Sequence, residues 1–341
     1  MRFVVFGAGA IGGVIGARLH QSGHEVTLIA RGAHYEAIRR DGLTLETPTE
    51  RAVLEIAVAD SPDAIDWTGE EVVLLAVKSQ DTSGALLALR DAAPPHTPVV
   101  CMQNAVENER VALRLFEHVQ GAVVMSPTGH TEPGIVQAYG TRMSGVIDVG
   151  RYPSGVDERS EAVAAALEES DFSSQARPDI MRFKYAKLIS NLPNAVDAIV
   201  EPSPEADELG RQAQEEGRAV LSAARIDYAA DDVNDVLARW KQLDVQPIAG
   251  RERAGSSTRQ SLARGLSLET DYLNGEISLI GRLHGLPTPV NDALCRASSR
   301  AVRERWAPQT LPAAEVRLAR NSMLPVEADA STGFTDGPVR R

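Results

Sequence analysis

Met1-Arg2-Phe3-Val4-Val5-Phe6-Gly7-Ala8-Gly9-Ala10-Ile11-Gly12 opens the chain, and its reading decides the fold. An apolar run of strand length leads straight into glycines spaced G-x-G-x-x-G, and helical patterning continues to His20. Strand, glycine turn and helix in that order predict the start of a dinucleotide-binding unit, because this context gives the spacing a meaning it lacks alone. Gly7 permits the tight turn, Gly9 lets backbone approach a diphosphate, and Gly12 allows helix and strand to pack closely. Ala10, Ile11 and Gly12 open the helix, where unpaired amides and the helix dipole favour an anion.

The second strand, Glu25–Ile29, runs into Ala30-Arg31-Gly32-Ala33. An acid at that place holds a ribose 2′-hydroxyl, whereas an arginine accommodates a 2′-phosphate. Arg31 therefore points to NADP(H). Lys78 ends the largely apolar run 71–77 at the same carboxyl edge of the sheet, where open α/β sheets bind ligands, and a second cation there suits a 2′-phosphate. Asn104 follows the strand 98–102 at this edge. It is placed to bond a ribose, the nicotinamide amide or a substrate, or simply to shape a turn.

Strands and helices alternate through the first half, with further helices expected over 34–40, 82–92, 107–118 and 157–169. Further strands are expected over 43–46, 52–59, 122–125, 134–139 and 145–150. Alternation of this kind implies a parallel sheet with right-handed crossovers, a Rossmann-like doubly wound α/β domain. After Pro178 almost only helical periodicity remains, over 180–199, 204–224, 231–243, 258–263, 267–284 and 291–305, with a kink expected at Pro193. The expected division is a nucleotide-binding domain over 1–178, an all-α domain over 179–310, and a partly mobile extension over 311–341. A length of 341 residues fits two domains better than one core.

Bulk composition narrows the function classes. The net charge of −12 argues against nucleic acid as a partner, since phosphate backbones need a basic face. No apolar stretch approaches the roughly 20 residues of a bilayer span, so no membrane association is expected. Cys101 and Cys295 lie far apart in a strand and a helix, which predicts reduced thiols and a cytoplasmic protein. His20 and His24 have H-x-x-x-H spacing, but Gly23 should end the helix between them and no third ligand is near, so no metal site is expected.

The second domain must supply an acid, because hydride transfer to a carbonyl leaves an alkoxide that needs a proton. Lys187 and Asn191 are four apart and share one helix face, which Asn194 extends beside an apolar stripe of Leu188, Leu192, Val196 and Ile199. By itself such a polar stripe is the wet side of an amphipathic helix. Glu269 sits early in the segment 267–284, where Ser267 can cap a helix and early acids favour its dipole. Ser257 reads equally as a cap.

Together these motifs resemble the ketopantoate reductase family. The resemblance rests on GAGAIGG at 7–13, LIARG at 28–32, VKS at 77–79 and QNAVENE at 103–109. It continues through EPG at 132–134, KLISN at 187–191, SST at 256–258, LETDYLNGE at 268–276 and HGLPTPVN at 284–291. It implies a helical domain of the 6-phosphogluconate dehydrogenase C-terminal type and NADPH-dependent reduction of a 2-oxo acid, with 2-dehydropantoate foremost. Lys187 matches the family's general acid, and Glu269 the glutamate that organises it. Ser257, Asn191 and Asn104 match positions that hold the substrate, and family members occur as homodimers and as monomers. The pattern is broken at Asp81, where a glutamine is usual and Gln80 stands one step early. It is broken again at Ala105, in place of the glycine of Q-N-G, and at Ala195, where a substrate asparagine is usual and Asn194 stands beside it. The reductase machinery is thus kept more fully than the substrate shell. That leaves open an opine-type or polyol-phosphate dehydrogenase, or a nucleotide-binding module without catalysis, and a panel of 2-oxo acids with NADPH separates these.

Overall fold

The computed structural model describes residues 1–230, 234–251 and 255–321; the first residues of the expected helix 231–243 and the tail beyond 321 lie outside them. In chain order the first part comprises β1 (Arg2–Phe6), α1 (Ala10–Gln21), β2 (Glu25–Ile29), α2 (Gly32–Asp41), β3 (Leu43–Glu46), β4 (Arg51–Leu54) and β5 (Ala57–Ala59). It continues with β6 (Glu71–Leu75), α3 (Thr82–Ala92), β7 (Val99–Cys101), α4 (Asn108–Leu113), β8 (Val119–Met125), β9 (Thr128–Glu132), β10 (Ile135–Ala138), β11 (Gly145–Arg151), α5 (Glu158–Glu168) and β12 (Phe172–Ser173). From there the named elements are helices: α6 (Ile180–Asn191), α7 (Asn194–Ile199), α8 (Pro204–Ala223), α9 (Asp235–Lys241), α10 (Ser257–Ala263), α11 (Asn274–Leu283), α12 (Pro289–Glu304) and α13 (Ala313–Asn321).

The main sheet has the order β12-β11-β8-β7-β6-β1-β2-β5. β1 is central and parallel to both β2 and β6, so successive strands leave it in opposite directions. The crevice at that reversal is where a doubly wound sheet takes its ligand. Alternate residues of β1 serve two cores. Phe3 and Val5 face a cluster with Val14, Ile15 and Leu19 of α1, while Val4 and Phe6 face Leu86 and Leu89 of α3. A strand covered on both faces must be apolar throughout, which is why this run is legible without alternation.

Several sequence expectations need correction. The segment 52–59 is two strands in different sheets: β4 joins a smaller sheet β4-β3-β10-β9, and β5 extends the main one. The main sheet is mixed, since β11 runs antiparallel to β8. β9 and β12 are too short and polar to show periodicity. Helix α4 stops at Leu113, not His118. The expected kink at Pro193 is a full break between α6 and α7. The segment 267–284 begins not as a capped helix but as a 3₁₀ turn, Thr270–Tyr272, before α11. Ser267 caps nothing there; its hydroxyl accepts from Gln80 Nε2 at 2.7 Å.

The helical part has its own core, with Leu192, Leu209, Leu221, Ile277 and Leu294 at its centre, and Ala105 and Val106 of the first part pack into it. A smaller joint of Val123, Val146, Ile180 and Phe183 seats α6 against the sheet. The first helix of the second part is thereby fixed directly over β8.

Candidate active site

The glycine turn is shaped by what a side chain would strike. Gly7 has φ +106°, and a Cβ there would lie 2.8 Å from the Val77 nitrogen. A Cβ on Gly12 would lie 2.2 Å from the Gly7 carbonyl oxygen. Gly9 is the opposite case, with nothing within 4 Å of the place its Cβ would take. It precedes α1 with no side-chain cap and no acid in the helix's first turn. The amides of Ala10, Ile11 and Gly12 therefore open toward clear space, as a diphosphate requires. The residues present fit a dinucleotide.

His34 props this turn, and sequence reasoning missed it. Its Nε2 donates to the Ala8 carbonyl at 2.7 Å, and its Nδ1 accepts from the Gly134 amide at 2.8 Å, which fixes the neutral tautomer. Burial lowers its proton affinity. The His130 ring lies tilted against it, centroids 4.2 Å apart, and is held down to about 3, chiefly by burial and further by the proximity of His34 and of the Arg264 cation. Nothing in the spacing of two histidines 96 positions apart in sequence signals this pair. Arg31 stands just before α2, exposed, on extended backbone. None of the described carboxylates forms an ion pair with it.

Lys78 does not stand free beside Arg31. Its ammonium donates to Ser261 Oγ at 2.9 Å and to the Ser267 carbonyl at 2.8 Å, both in the helical part. Burial lowers its proton affinity, while Glu269 opposes the shift. Next to it, Ser79 donates through its amide (3.1 Å) and hydroxyl (3.0 Å) to Glu269 Oε1.

Lys187, near the end of α6, donates to the Val124 carbonyl of β8. Burial first, and repulsion by Lys184 second, bring its ammonium down to about 7, against the attraction of Glu269. Lys187 and Glu269 are thus joined by charge; the hydrogen bonds that orient each go to Val124 and Ser79. Asn104 lies half-buried, its carbonyl accepting from Asn108 Nδ2 at 2.8 Å. Asn191 ends α6 and Asn194 begins α7, both half-buried on either side of the break at Pro193. Ser257 is exposed at the start of α10, and its neighbour Ser256 is the residue that caps this helix, accepting from the Arg259 amide at 3.2 Å.

The departures from the family pattern acquire physical meaning. Ala105 has φ +67°, a left-handed conformation that suits the glycine usual there. Ala195 is 1% exposed in the helical core and offers nothing to a ligand. Gln80 is engaged with Ser267, as above. On the opposite, amino-terminal edge of the sheet, His96, Glu117 and His118 bring one ligand atom each within 4.8 Å of one another; as largely solvated groups they carry no function by themselves.

Comparisons with known proteins agree with this geometry. The family description "Ketopantoate reductase PanE/ApbA" matches residues 3–154, and its C-terminal counterpart matches 179–301. A 2-dehydropantoate 2-reductase of Archaeoglobus fulgidus is 30% identical over 302 residues, 86% of this chain and 95% of that one. One from Pyrococcus horikoshii is 29% identical over 299 residues, 85% and 94% of the two chains. Among solved structures, a PanE/ApbA family ketopantoate reductase from Ralstonia eutropha JMP134 superposes with a TM-score of 0.72 at 29% identity, covering 95% of this chain and 99% of that one. A D-mandelate dehydrogenase with NADH and anilino(oxo)acetate shares the fold, with a TM-score of 0.77 at 24% identity over 89% of this chain and 99% of that one. With both halves matched in order and a lysine, a glutamate and a glycine turn assembled at one sheet edge, the chain belongs to the ketopantoate reductase family, oxidoreductases acting on CH–OH groups.

Proposed function

We propose that this protein reduces a 2-oxo acid, foremost 2-dehydropantoate, with NADPH, residues 1–178 holding the nucleotide and 179–310 supplying the proton donor and substrate contacts. The observation that carries the reading is Lys187: a partly buried ammonium, close in proton affinity to neutral pH, at the junction between the sheet edge and the helical part. A general acid works best when its pKa lies near the operating pH.

Gly7, Gly9 and Gly12 with the amides opening α1 hold the diphosphate, and Arg31 takes the 2′-phosphate. Lys78, tied to Ser261 and Ser267, positions the edge of the site across the two parts and adds positive potential. When bound, the reduced nicotinamide supplies a hydride to the keto carbon. Lys187 gives its proton to the keto oxygen, so that C=O becomes CH–OH and the lysine is left neutral. Glu269 favours the charged lysine before transfer, and favours it again when the neutral amine takes a proton from water afterward. Asn104, Asn191, Asn194 and Ser257 orient the substrate. Two unpaired thiols, Cys101 and Cys295, suit work in a reducing compartment such as the cytoplasm.

A second reading keeps the chemistry and changes the substrate. Ala195 replaces a polar group of the family's substrate shell with a buried methyl, and this favours a 2-oxo acid with a different side chain. The test is NADPH oxidation against 2-dehydropantoate and a series of branched and aromatic 2-oxo acids. Turnover of 2-dehydropantoate above the rest supports the first reading, and preference for another member supports the second. Tight NADPH binding with no turnover of any 2-oxo acid contradicts both.

A further inference from the structure

Lys184 stands one helical turn before Lys187, so both side chains leave α6 on the same face. The first lysine is 3% exposed and pairs at 2.5 Å with Glu109, which is 0% exposed. Its ammonium also donates to the Gln103 carbonyl at 2.9 Å and the Ala122 carbonyl at 3.2 Å. Val124, which receives the Lys187 ammonium, is two residues further along the same strand. The two lysines therefore occupy successive like-facing carbonyls of β8.

A buried ion pair is a poor source of stability, because desolvating both charges costs about as much as their attraction returns. Stability alone does not account for a lysine and a glutamate sealed under the site. Their connections do. Gln103 Nε2 donates to Thr82 Oγ1, Thr82 to Asn108 Oδ1, and Asn108 Nδ2 to Ser79 Oγ, at 2.7, 2.7 and 3.2 Å. Ser79 in turn donates to Glu269. Gln103 thus links the two ends: its backbone carbonyl receives the Lys184 ammonium, and its side chain starts the run of hydrogen bonds that ends on the Glu269 carboxylate. The charged groups facing Lys187 are Lys184 on its own helix and Glu269 from the second part. Glu109 on α4 lies behind Lys184, and Lys78 beyond Glu269.

We propose that the buried Lys184–Glu109 pair is a positioning device for the proton donor: it fixes β8, α6 and the 103–109 segment around Lys187 and holds a second ammonium on the same helix face. The inference rests on Lys187 being the donor in the reaction proposed above. Like charges held close in a site from which water is largely excluded favour the neutral form of one partner, and Lys184 is the like charge here. Glu109, pushed toward its protonated form by burial and held back chiefly by Lys184, keeps that cation in place. Among the described residues Lys184 is the cation paired with the Glu109 carboxylate, and no other hydrogen bond is made to it.

The test compares Lys184→Met, the double variant Lys184→Met/Glu109→Gln, and Lys187→Ala, each assayed as NADPH-dependent kcat/KM for the best 2-oxo acid across pH. The double variant leaves no unpaired buried charge and carries the test if the single one fails to fold. Reduction falls as pH rises through the donor's pKa. Without Lys184 that alkaline limb is expected to move upward by about one to two pH units, with the acid correspondingly weaker at neutral pH. A limb that stays in place in the double variant, whatever its rate, overturns the inference while leaving the function intact if Lys187→Ala is inactive. Near-normal turnover by Lys187→Ala overturns both.

Discussion

The two ends of the site handle charge in opposite ways. At the glycine turn, in the function proposed here, the charge to be bound is the ligand's, and the protein offers it backbone amides, a helix terminus and one exposed arginine. At Lys187 the charges belong to the protein, are partly or wholly buried, and act on one another through Lys184, Glu109 and Glu269. The first design depends on the absence of side chains at fixed places. The second depends on side chains brought together from α4, α6 and the turn before α11. The contrast teaches why damage at one end should change binding, and at the other proton transfer.

The largest effect should come from filling the turn. Gly12→Ala sets a Cβ 2.2 Å from a carbonyl oxygen and is expected to cost about 3 kcal/mol or more of stability, read by thermal unfolding. Gly9→Ala meets no protein atom within 4 Å, so the fold should lose no more than about 1 kcal/mol, the helix-cap scale, while nucleotide titration shows clear weakening. Unimpaired NADPH binding by Gly9→Ala would mean that the diphosphate does not approach this backbone.

Next in size is Arg31→Ala. Loss of a charged hydrogen bond to a phosphate is worth about 1.5–3 kcal/mol, so NADPH should weaken roughly 10- to 100-fold with NADH almost unchanged. Equal weakening of the two nucleotides would break the distinction drawn here. Glu269→Gln keeps the shape and the acceptor for Ser79 but removes a charge that raises the proton affinity of Lys187. The alkaline limb of reduction, expected near pH 7 in the unaltered protein, should then move downward, by about one unit. An upward shift would contradict the electrostatic account. The smallest effect is at Ala105→Gly, where relief of a left-handed alanine, about 1–2 kcal/mol, is offset by the entropy of glycine, about 0.5–1 kcal/mol. A slight gain in melting temperature is expected.

The same contrast explains what the sequence could reveal. A turn that excludes side chains leaves glycines at fixed spacing, and a strand buried on both faces leaves an unbroken apolar run, so the nucleotide end was readable from residues 1–32. Asn191 and Asn194 read as one face of a helix although Pro193 separates them, because Leu192 and Pro193 keep helical backbone angles and the periodicity continues across the break. Lys187 and Glu269 were chemically indistinct from a solvated stripe and a helix cap until the family resemblance singled them out. Lys184 and Glu109 were overlooked altogether, since a charged residue in an amphipathic pattern reads as exposed unless its partner, 75 positions away, is known to meet it. Lys78 follows β6 at the edge expected of it, yet its partners Ser261 and Ser267 lie in segments that read as two separate helices, and helical periodicity carries no sign that they meet a lysine 183 and 189 positions away.

The central claim is that Lys187 delivers the proton in reduction of a 2-oxo acid. The most direct measurement is turnover of Lys187→Ala with NADPH and 2-dehydropantoate, beside its NADPH dissociation constant. The expected result is a kcat lower by about 10²–10⁴-fold, the range for a positioned general acid, with nucleotide affinity within a few-fold of the unaltered protein. Turnover that stays near normal while the nucleotide binds as before would contradict it.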